Sequence, residues 1–568
     1  MPRIDAESCF GRILDWEQGG YCAVAPAHGD YEVARSYLNE TLVLETRFRH
    51  PGGEVRLLDA FTMRRGGREE PFCQLVRIIE GVSGAVDMNV EVSPRFSYGE
   101  MRPWIRQHSG GVFSALGGDY ALVISGDLEL TKASRHDLRT QLTIRGGERL
   151  RLSIEYKPPY HVHPDAPEAV PVSEIDARLA RTIAWWEQWS RQARISGPDA
   201  AAVLRSAIVL KALTNAPTGA IAAAATTSLP EVMGGERNWD YRYNWTRDAS
   251  FALQSLIALG FEKEALGFRY FLERTTADNA GELHVVYGVG GEHRLTEVQL
   301  DSLAGHCGSR PVRIGNAAHQ QVQLDIYGEL LEVAWQSSLH GVPPDEDYWS
   351  LMAQIVDTVT TAWERPDCGI WEVRSTPEHF VHSKVMCWSA LDRGLRLAER
   401  YGLPAPTQRW RQVRDTIRST IETRGYDGTR GIFVRTLDGR DLDAALLLLP
   451  RVEFVAYDDA RMVRTVDAIR RALGDARGLV RRYRSTDGLR GDEGAFLACS
   501  FWLVECLARQ GRSGEARHIF DQMSALANDL GLFSEEYDPE AGIMLGNFPQ
   551  GLTHYSHIGA ALALARNA

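Results

Sequence analysis

Over roughly the first quarter of the chain, apolar and polar residues alternate in short runs; beyond it, apolar residues recur every three to four positions. The alternating runs cover residues 41–49, 54–62, 73–81, 85–94, 120–130 and 149–156. Turn residues separate them: Pro51 with Gly52 and Gly53, then the glycine pairs at 66–67, 110–111, 117–118 and 146–147. Successive side chains of a strand point to opposite faces, so these runs predict half-buried strands. Their regular spacing, with no helix between them, predicts an all-β sandwich over residues 1–157. Residues 158–172 hold five prolines and read as a linker. His161 and His163 lie in it as a polar loop pair, with no third ligand nearby.

From Ser173 the period lengthens. Ser173 to Asp176 resembles a capping box, and Ile175, Leu179, Ile183, Trp186 and Trp189 follow at helical spacing. About a dozen amphipathic segments continue to the C-terminus in pairs: 317–340 with 344–363, 380–401 with 407–424, 492–510 with 513–528, and a last one at 552–565. Long segments rich in Gly, Trp, Tyr, Arg and Asp connect the pairs, as at 282–316, 366–379 and 529–551. Consecutive helical hairpins predict an all-α (α/α)6 toroid over residues 173–568, its long loops forming a funnel at one end. No sequence period repeats, which argues against a superhelical solenoid.

The stretch 237–251 breaks the amphipathic pattern. Arg237, Trp239, Asp240, Tyr241, Arg242, Tyr243, Trp245, Arg247 and Asp248 crowd together before an expected helix at 249–260. Such a stretch is either a structural ion-pair knot or a grip for a polyol, with rings for C–H faces and charges for hydroxyls.

Composition narrows the choice. The 568 residues carry a net charge of −12 with no basic run, which excludes nucleic acid and anionic membrane surfaces as expected partners. No apolar run is long enough to span a membrane, and residues 1–20 lack the apolar core of a signal peptide. The eight cysteines stand singly, with no C-x-x-C, so a reduced, cytoplasmic protein is expected. Cys499 and Cys506 read as small buried hydrophobes. No H-E-x-x-H, phosphate-cradling glycine loop or clustered ligand set is present, so neither metal nor cofactor is expected.

Two loops each present a glutamate in unusual company. Glu372 follows Trp371, whose ring can raise a carboxyl's pKa, although a helix-start charge or an ion pair to Arg374 would use the same residues. Glu535, Glu536 and Asp538 form an acidic cluster that is either a solvated turn or a functional site. Glu493 reads as the cap of the helix that follows it. Glycoside hydrolysis needs two carboxyls, one protonated and one ionised, and Glu372 with Glu535 could supply them.

The chain resembles glycoside hydrolase family 15, the glucoamylase and trehalase family. The resemblance rests on an ordered set of segments: 237–251, 308–316, 369–374, 493–496, 534–538 and 546–550. Residues 1–157 are similar to the β-rich N-terminal domain of its bacterial trehalase-like branch. The resemblance implies an inverting exo-α-glucosidase, with Glu372 as general acid and Glu535 as general base. It implies Arg247 and Asp248 as the pair holding the terminal glucose, and Tyr241, Trp245 and Trp371 as rings of its pocket. Arg482 matches an arginine near the leaving sugar, Arg310 and Arg313 fall in a sugar-binding loop, and Glu536 flanks the base. Cys368 and Ser375 depart from the family pattern, and Tyr555 and His557 enrich the last loop region; these touch substrate identity more than reaction type. The expected partner is a small α-glucoside, trehalose first; an oligomer is compatible with the sequence. Maltodextrin hydrolysis, a disaccharide phosphorylase and a non-catalytic glucan-binding protein are the competing readings.

Overall fold

The computed structural model describes residues 2–64, 67–163, 165–276, 283–484 and 493–566. The expected turn glycine Gly66 and the expected first helical residue Asp492 lie outside the described residues. The chain forms two compact units, residues 1–193 with 300–312 and residues 194–299 with 313–568.

The first unit is a β-sandwich. Its strands are β1 (Tyr21–Pro26), β2 (Glu32–Tyr37), β3 (Leu44–His50), β4 (Gly53–Phe61), β5 (Gln74–Ser93), β6 (Trp104–Gln107), β7 (Phe113–Gly117), β8 (Tyr120–Gly126), β9 (Thr131–Lys132), β10 (Leu138–Arg145) and β11 (Arg149–Lys157). They pair antiparallel in the order β2-β3-β4-β5-β11-β8-β7-β6, while β1 and β10 pair with the second half of β5 and β9 with β10. The two runs expected at 73–81 and 85–94 are therefore one strand of 20 residues that passes from one sheet to the other. Glycine makes the bend possible. Gly84 has φ +63°, and a Cβ there would stand 2.1 Å from the Gly52 carbonyl oxygen.

Val86, Met88, Val90 and Val92 of β5 point into the sandwich and pack with Val55, Leu57, Ile79, Leu122, Ile124, Leu152 and Ile154. Val76 and Ile78 point the other way, where with Leu58 and Ala60 they receive Ile175 and Leu179 of α1 (Val172–Ser190). Helix α1 thus belongs with the sandwich. Its N-cap is Pro171, without a side-chain hydrogen bond, so Ser173 forms no capping box. Glu174 is engaged instead with Arg178 at 3.2 Å and Arg181 at 2.6 Å.

The second unit is a ring of helices. Its members are α2 (Ala200–Ala212), α3 (Thr246–Ala258), α4 (Glu262–Thr275), α5 (Asp325–Leu339), α6 (Glu346–Ala362), α7 (Val381–Tyr401), α8 (Thr407–Arg424), the 3₁₀ helix Ala444–Leu448, α9 (Ala460–Leu473), α10 (Leu497–Arg509), α11 (Ser513–Ser524) and α12 (Gly551–Ala565). Helices α3, α5 and α7, the 3₁₀ helix, α10 and α12 pack each on the next and close on α3. The other six lie outside them. Burial follows the layers. Helix α10 is buried on nearly every side, whereas α8 buries only Trp410, Ile417 and Ile421. Helix α5 starts later than the pattern from 317 predicts, because Ala317–Gln320 forms a separate 3₁₀ turn capped by Asn316. Tyr555 and His557 are core residues of α12, not loop residues; Tyr555 stacks on Phe251 at 4.6 Å. Cys499 and Cys506 are buried in α10.

Candidate active site

The segments that enter the inner helices carry the chemistry. A cavity enclosing about 440 Å³, its open mouth included, is lined by Tyr241, Trp245, Arg247, Asp248, Trp371, Glu372, Arg482 and Glu535, with Ala223, Ile370, Phe496, Gln550 and Leu552. These residues come from the chain leading into α3, α7, α10 and α12 or from the first turn of those helices.

Arg247 and Asp248 lie in the first turn of α3. The Arg247 guanidinium donates to Asp248 Oδ2 through Nε at 3.1 Å, to the Ile370 carbonyl at 2.8 Å and to Gln323 Oε1 at 3.3 Å. It also reaches Glu372 Oε1 at 3.4 Å. Trp245, the residue before α3, donates its indole N–H to the same Glu372 oxygen at 2.6 Å. The Tyr241 ring meets Trp245 edge-on at 5.4 Å. One carboxyl oxygen of Glu372 is thus anchored by two donors. Burial raises the Glu372 pKa, and Asp248 adds to this, while Arg247, Gln323 and Trp245 pull it down.

Glu372 has φ +57°, a left-handed backbone that a glutamate rarely adopts. Its neighbour is fixed from behind. Trp371 donates its indole N–H to Asp443 Oδ1 at 2.8 Å and stacks on Trp502 at 5.8 Å. The alternative use of Glu372, an ion pair to Arg374, is not among the described contacts; Arg374 pairs with Glu297 at 2.8 Å.

Glu535 comes from the segment that leads into α12. It is 3 % exposed, and its Oε2 has no hydrogen-bond partner among the described residues. Burial pushes its pKa well up and the Glu231 charge pushes it further, against Arg482 and the Tyr241 hydroxyl. Gly546 makes room for it: with φ +77°, a Cβ there would lie 2.8 Å from Glu535 Oε2 and 2.9 Å from its Cβ. Gly546→Ala should therefore displace Glu535 and lower turnover by about 100-fold. Steady-state kinetics beside an unchanged circular dichroism spectrum would check it; wild-type turnover would refute the packing argument.

Glu536 begins the short strand Glu536–Asp538, and Glu535 precedes it. Glu536 accepts from the Gly494 N–H at 2.9 Å and does not line the cavity. Arg482 is clamped by Glu493, through Nε at 2.9 Å and a terminal nitrogen at 2.6 Å. Glu493 also pairs with Arg237. Glu493 is therefore an ion-pair partner and not a cap, since Phe496 occupies the N-cap of α10. Arg313 is buried and donates to the carbonyls of Glu236 at 2.6 Å and Asn238 at 3.2 Å. Arg310 is exposed and falls in residues 300–312, which group with the first unit. Neither arginine lines the cavity. The knot reading of 237–251 also holds in part, because Arg242 pairs with Asp240 at 2.7 Å. Phe496 and Gln550 stand in segments that carry the family resemblance without being singled out as site residues, and Glu231 has no distinguishing local pattern.

A buried and a half-buried carboxyl lining one cavity with an arginine–aspartate pair suit acid–base chemistry on a hydroxyl-rich ligand. Comparison with known proteins agrees. Residues 197–562 match the model of glycosyl hydrolases family 15, and residues 1–131 match the trehalase-like N-terminal model. The chain belongs to glycosyl hydrolase family 15. It is a glycosidase of the family's trehalase-like branch. A trehalase of Mycobacterium tuberculosis is 36% identical, with 100% of this chain and 86% of that protein aligned. A trehalase of Mycolicibacterium smegmatis is 38% identical over 100% and 87%, and one of Thermoplasma volcanium 34% over 99% and 89%. A bacterial glucoamylase solved with acarbose superposes with a TM-score of 0.73 at 12% identity, covering 100% of this chain and 89% of that one. At that identity the likeness concerns the fold, and it is the (α/α)6 fold. Among the described residues, no helix is long and apolar enough to cross a membrane.

Proposed function

We propose that this glycosidase hydrolyses trehalose with inversion, Glu372 acting as general acid and Glu535 as general base. The observation that carries the reading is that both carboxyls line one cavity together with Arg247 and Asp248. Relatives that align with this chain over 86–89% of their own length bear the name trehalase, which supports the choice of substrate. Arg247 and Asp248 would hold outer hydroxyls of the terminal glucose, the guanidinium as donor and the carboxylate as acceptor. Glu372 Oε1 is held by Trp245 and Arg247, which leaves Oε2 to deliver a proton to the glycosidic oxygen as its bond to C1 breaks. Water attacks C1 from the far side and gives its proton to Glu535. The two carboxyls must then stand roughly 6.5–9.5 Å apart, with the water between them.

The anomers released test this directly. Inversion of trehalose frees one β-glucose and one α-glucose, because the leaving glucose keeps its own configuration; retention would free only α-glucose. Proton NMR during the first minutes, with trehalose, maltose, isomaltose and maltoheptaose in parallel, should show equal anomers and fastest turnover on trehalose. Initial α-glucose alone would overturn inversion, and preference for maltoheptaose would move the substrate to maltodextrin ends. A requirement for phosphate as co-substrate, with glucose phosphate released, would make the chain a phosphorylase.

A further inference from the structure

Behind Glu535 lies a charge cluster larger than the reaction needs. Two guanidiniums, Arg237 and Arg482, face four carboxyls, Glu231, Glu493, Glu535 and Glu536. Glu231, Glu535 and Glu536 are 2 %, 3 % and 0 % exposed. Three of these carboxyls are buried beside one another, and burial disfavours ionising all of them at once. The donors around each carboxyl then decide which of them holds its charge most readily.

Glu493 takes both arginines and is the best-compensated member. Glu536 has the Gly494 N–H and stands 3.8 Å from Arg482. Glu231 faces Arg482 at 3.6 Å through Oε2 and receives the Tyr241 hydroxyl at 3.5 Å on Oε1. Of the four, only Glu535 lines the cavity, and its buried Oε2 accepts no hydrogen bond among the described residues. Glu231 does not line the cavity, so it acts on the reaction only through its neighbours.

We propose that Glu231 is a positioning residue that draws on Arg482 and Tyr241 from the side away from the cavity and so keeps Glu535 a strong base. Without a carboxylate at 231, Arg482 and the Tyr241 hydroxyl are free to neutralise Glu535, and a weaker base takes a proton from water less readily. The inference rests on the assignment of Glu535 as the base. It accounts for a buried carboxylate placed beside another carboxylate that already lacks compensation, an arrangement that packing alone disfavours.

The test is the pH dependence of kcat/KM and kcat for Glu231→Gln beside Glu231→Asp. In Glu231→Gln the acid-side limb should move to lower pH by roughly one unit, as loss of a like charge within a few ångströms requires. The plateau of kcat should fall while KM changes little, and Glu231→Asp should keep the limb of the wild type. A limb that stays in place in Glu231→Gln, with kcat lowered equally at every pH, is a purely structural effect and overturns the proposal. If Glu231→Gln does not fold, the wild-type chain decides by carbon-13 NMR of its glutamate carboxyls, with Glu535 assigned from a Glu535→Gln spectrum. The Glu535 carbon should titrate in two steps, coupled to a second carboxyl; a single simple step overturns the proposal. A wild-type chain that cleaves no α-glucoside would fail earlier, at the assignment of the reaction.

Discussion

Glu372→Gln should lower kcat on trehalose by roughly 10³-fold while leaving KM within a small factor, since the loss falls on proton delivery and not on binding. The amide keeps the size of the side chain and can still accept from the Trp245 indole N–H that now holds Oε1 at 2.6 Å. The loss should depend on the leaving group. α-Glucosyl fluoride departs as fluoride without needing a proton, so the variant should hydrolyse it within about tenfold of the wild type, a small loss beside the range typical of acid catalysis. The pH profile supplies a second reading. Burial raises the Glu372 pKa, so its protonated form persists to higher pH than in an ordinary glutamate, and activity is lost as pH rises through that value. Glu372→Gln has no such proton to lose, and its residual activity should lack the alkaline limb. Equal losses on trehalose and on the fluoride, with the limb intact, would take the acid role away from Glu372.

How far the sequence reveals this architecture depends on the range of the contacts involved. Alternation along β3 and β11 marks the sandwich because apolar and polar residues take turns on the two faces, whereas β8 is buried on both. It could not show that residues 74–93 form one strand, because the bend at Gly84 looks locally like a turn between two. Strands β2 and β6 are mostly exposed, so neither carries the alternation that a half-buried strand would. In the ring, amphipathic periodicity marks α6 and α7 well, whereas the fourth inner member is a five-residue 3₁₀ helix with only a short apolar run to show for it.

The cavity divides in the same way. Trp245, Arg247 and Asp248 stand in one crowded stretch, and Glu372 follows Trp371, so unusual local composition singles them out. Arg313 stands in an equally suggestive stretch, yet its guanidinium is spent on the carbonyls of Glu236 and Asn238. Residue type and neighbours along the chain do not specify which way a side chain points. Glu231 lies the other way round. Nothing beside it in sequence is unusual, and its interest arises only when Arg482, from a segment some 250 residues on, arrives within 3.6 Å.

Glu535 and Glu536 are the sharpest case, because adjacent identical residues differ only in surroundings, and their variants should separate by the largest margin. Glu535→Gln should lose roughly 10³-fold in kcat on trehalose and as much on α-glucosyl fluoride, because either leaving group needs an activated water. That parallel loss distinguishes it from Glu372→Gln. Glu535→Ala should in addition be accelerated by azide, a nucleophile that needs no base, giving β-glucosyl azide if attack comes from the face opposite the leaving group. Glu536→Gln should stay within about tenfold of the wild type, well short of the loss of a general base. Its side chain does not line the cavity, and the amide oxygen can still accept from the Gly494 N–H. Its cost should instead appear as a change in thermal stability, since the carboxyl it replaces is fully buried and 3.8 Å from Arg482. Comparable turnover in the Glu535 and Glu536 variants would refute the assignment, because a carboxyl that lines the cavity cannot be exchanged for one that does not.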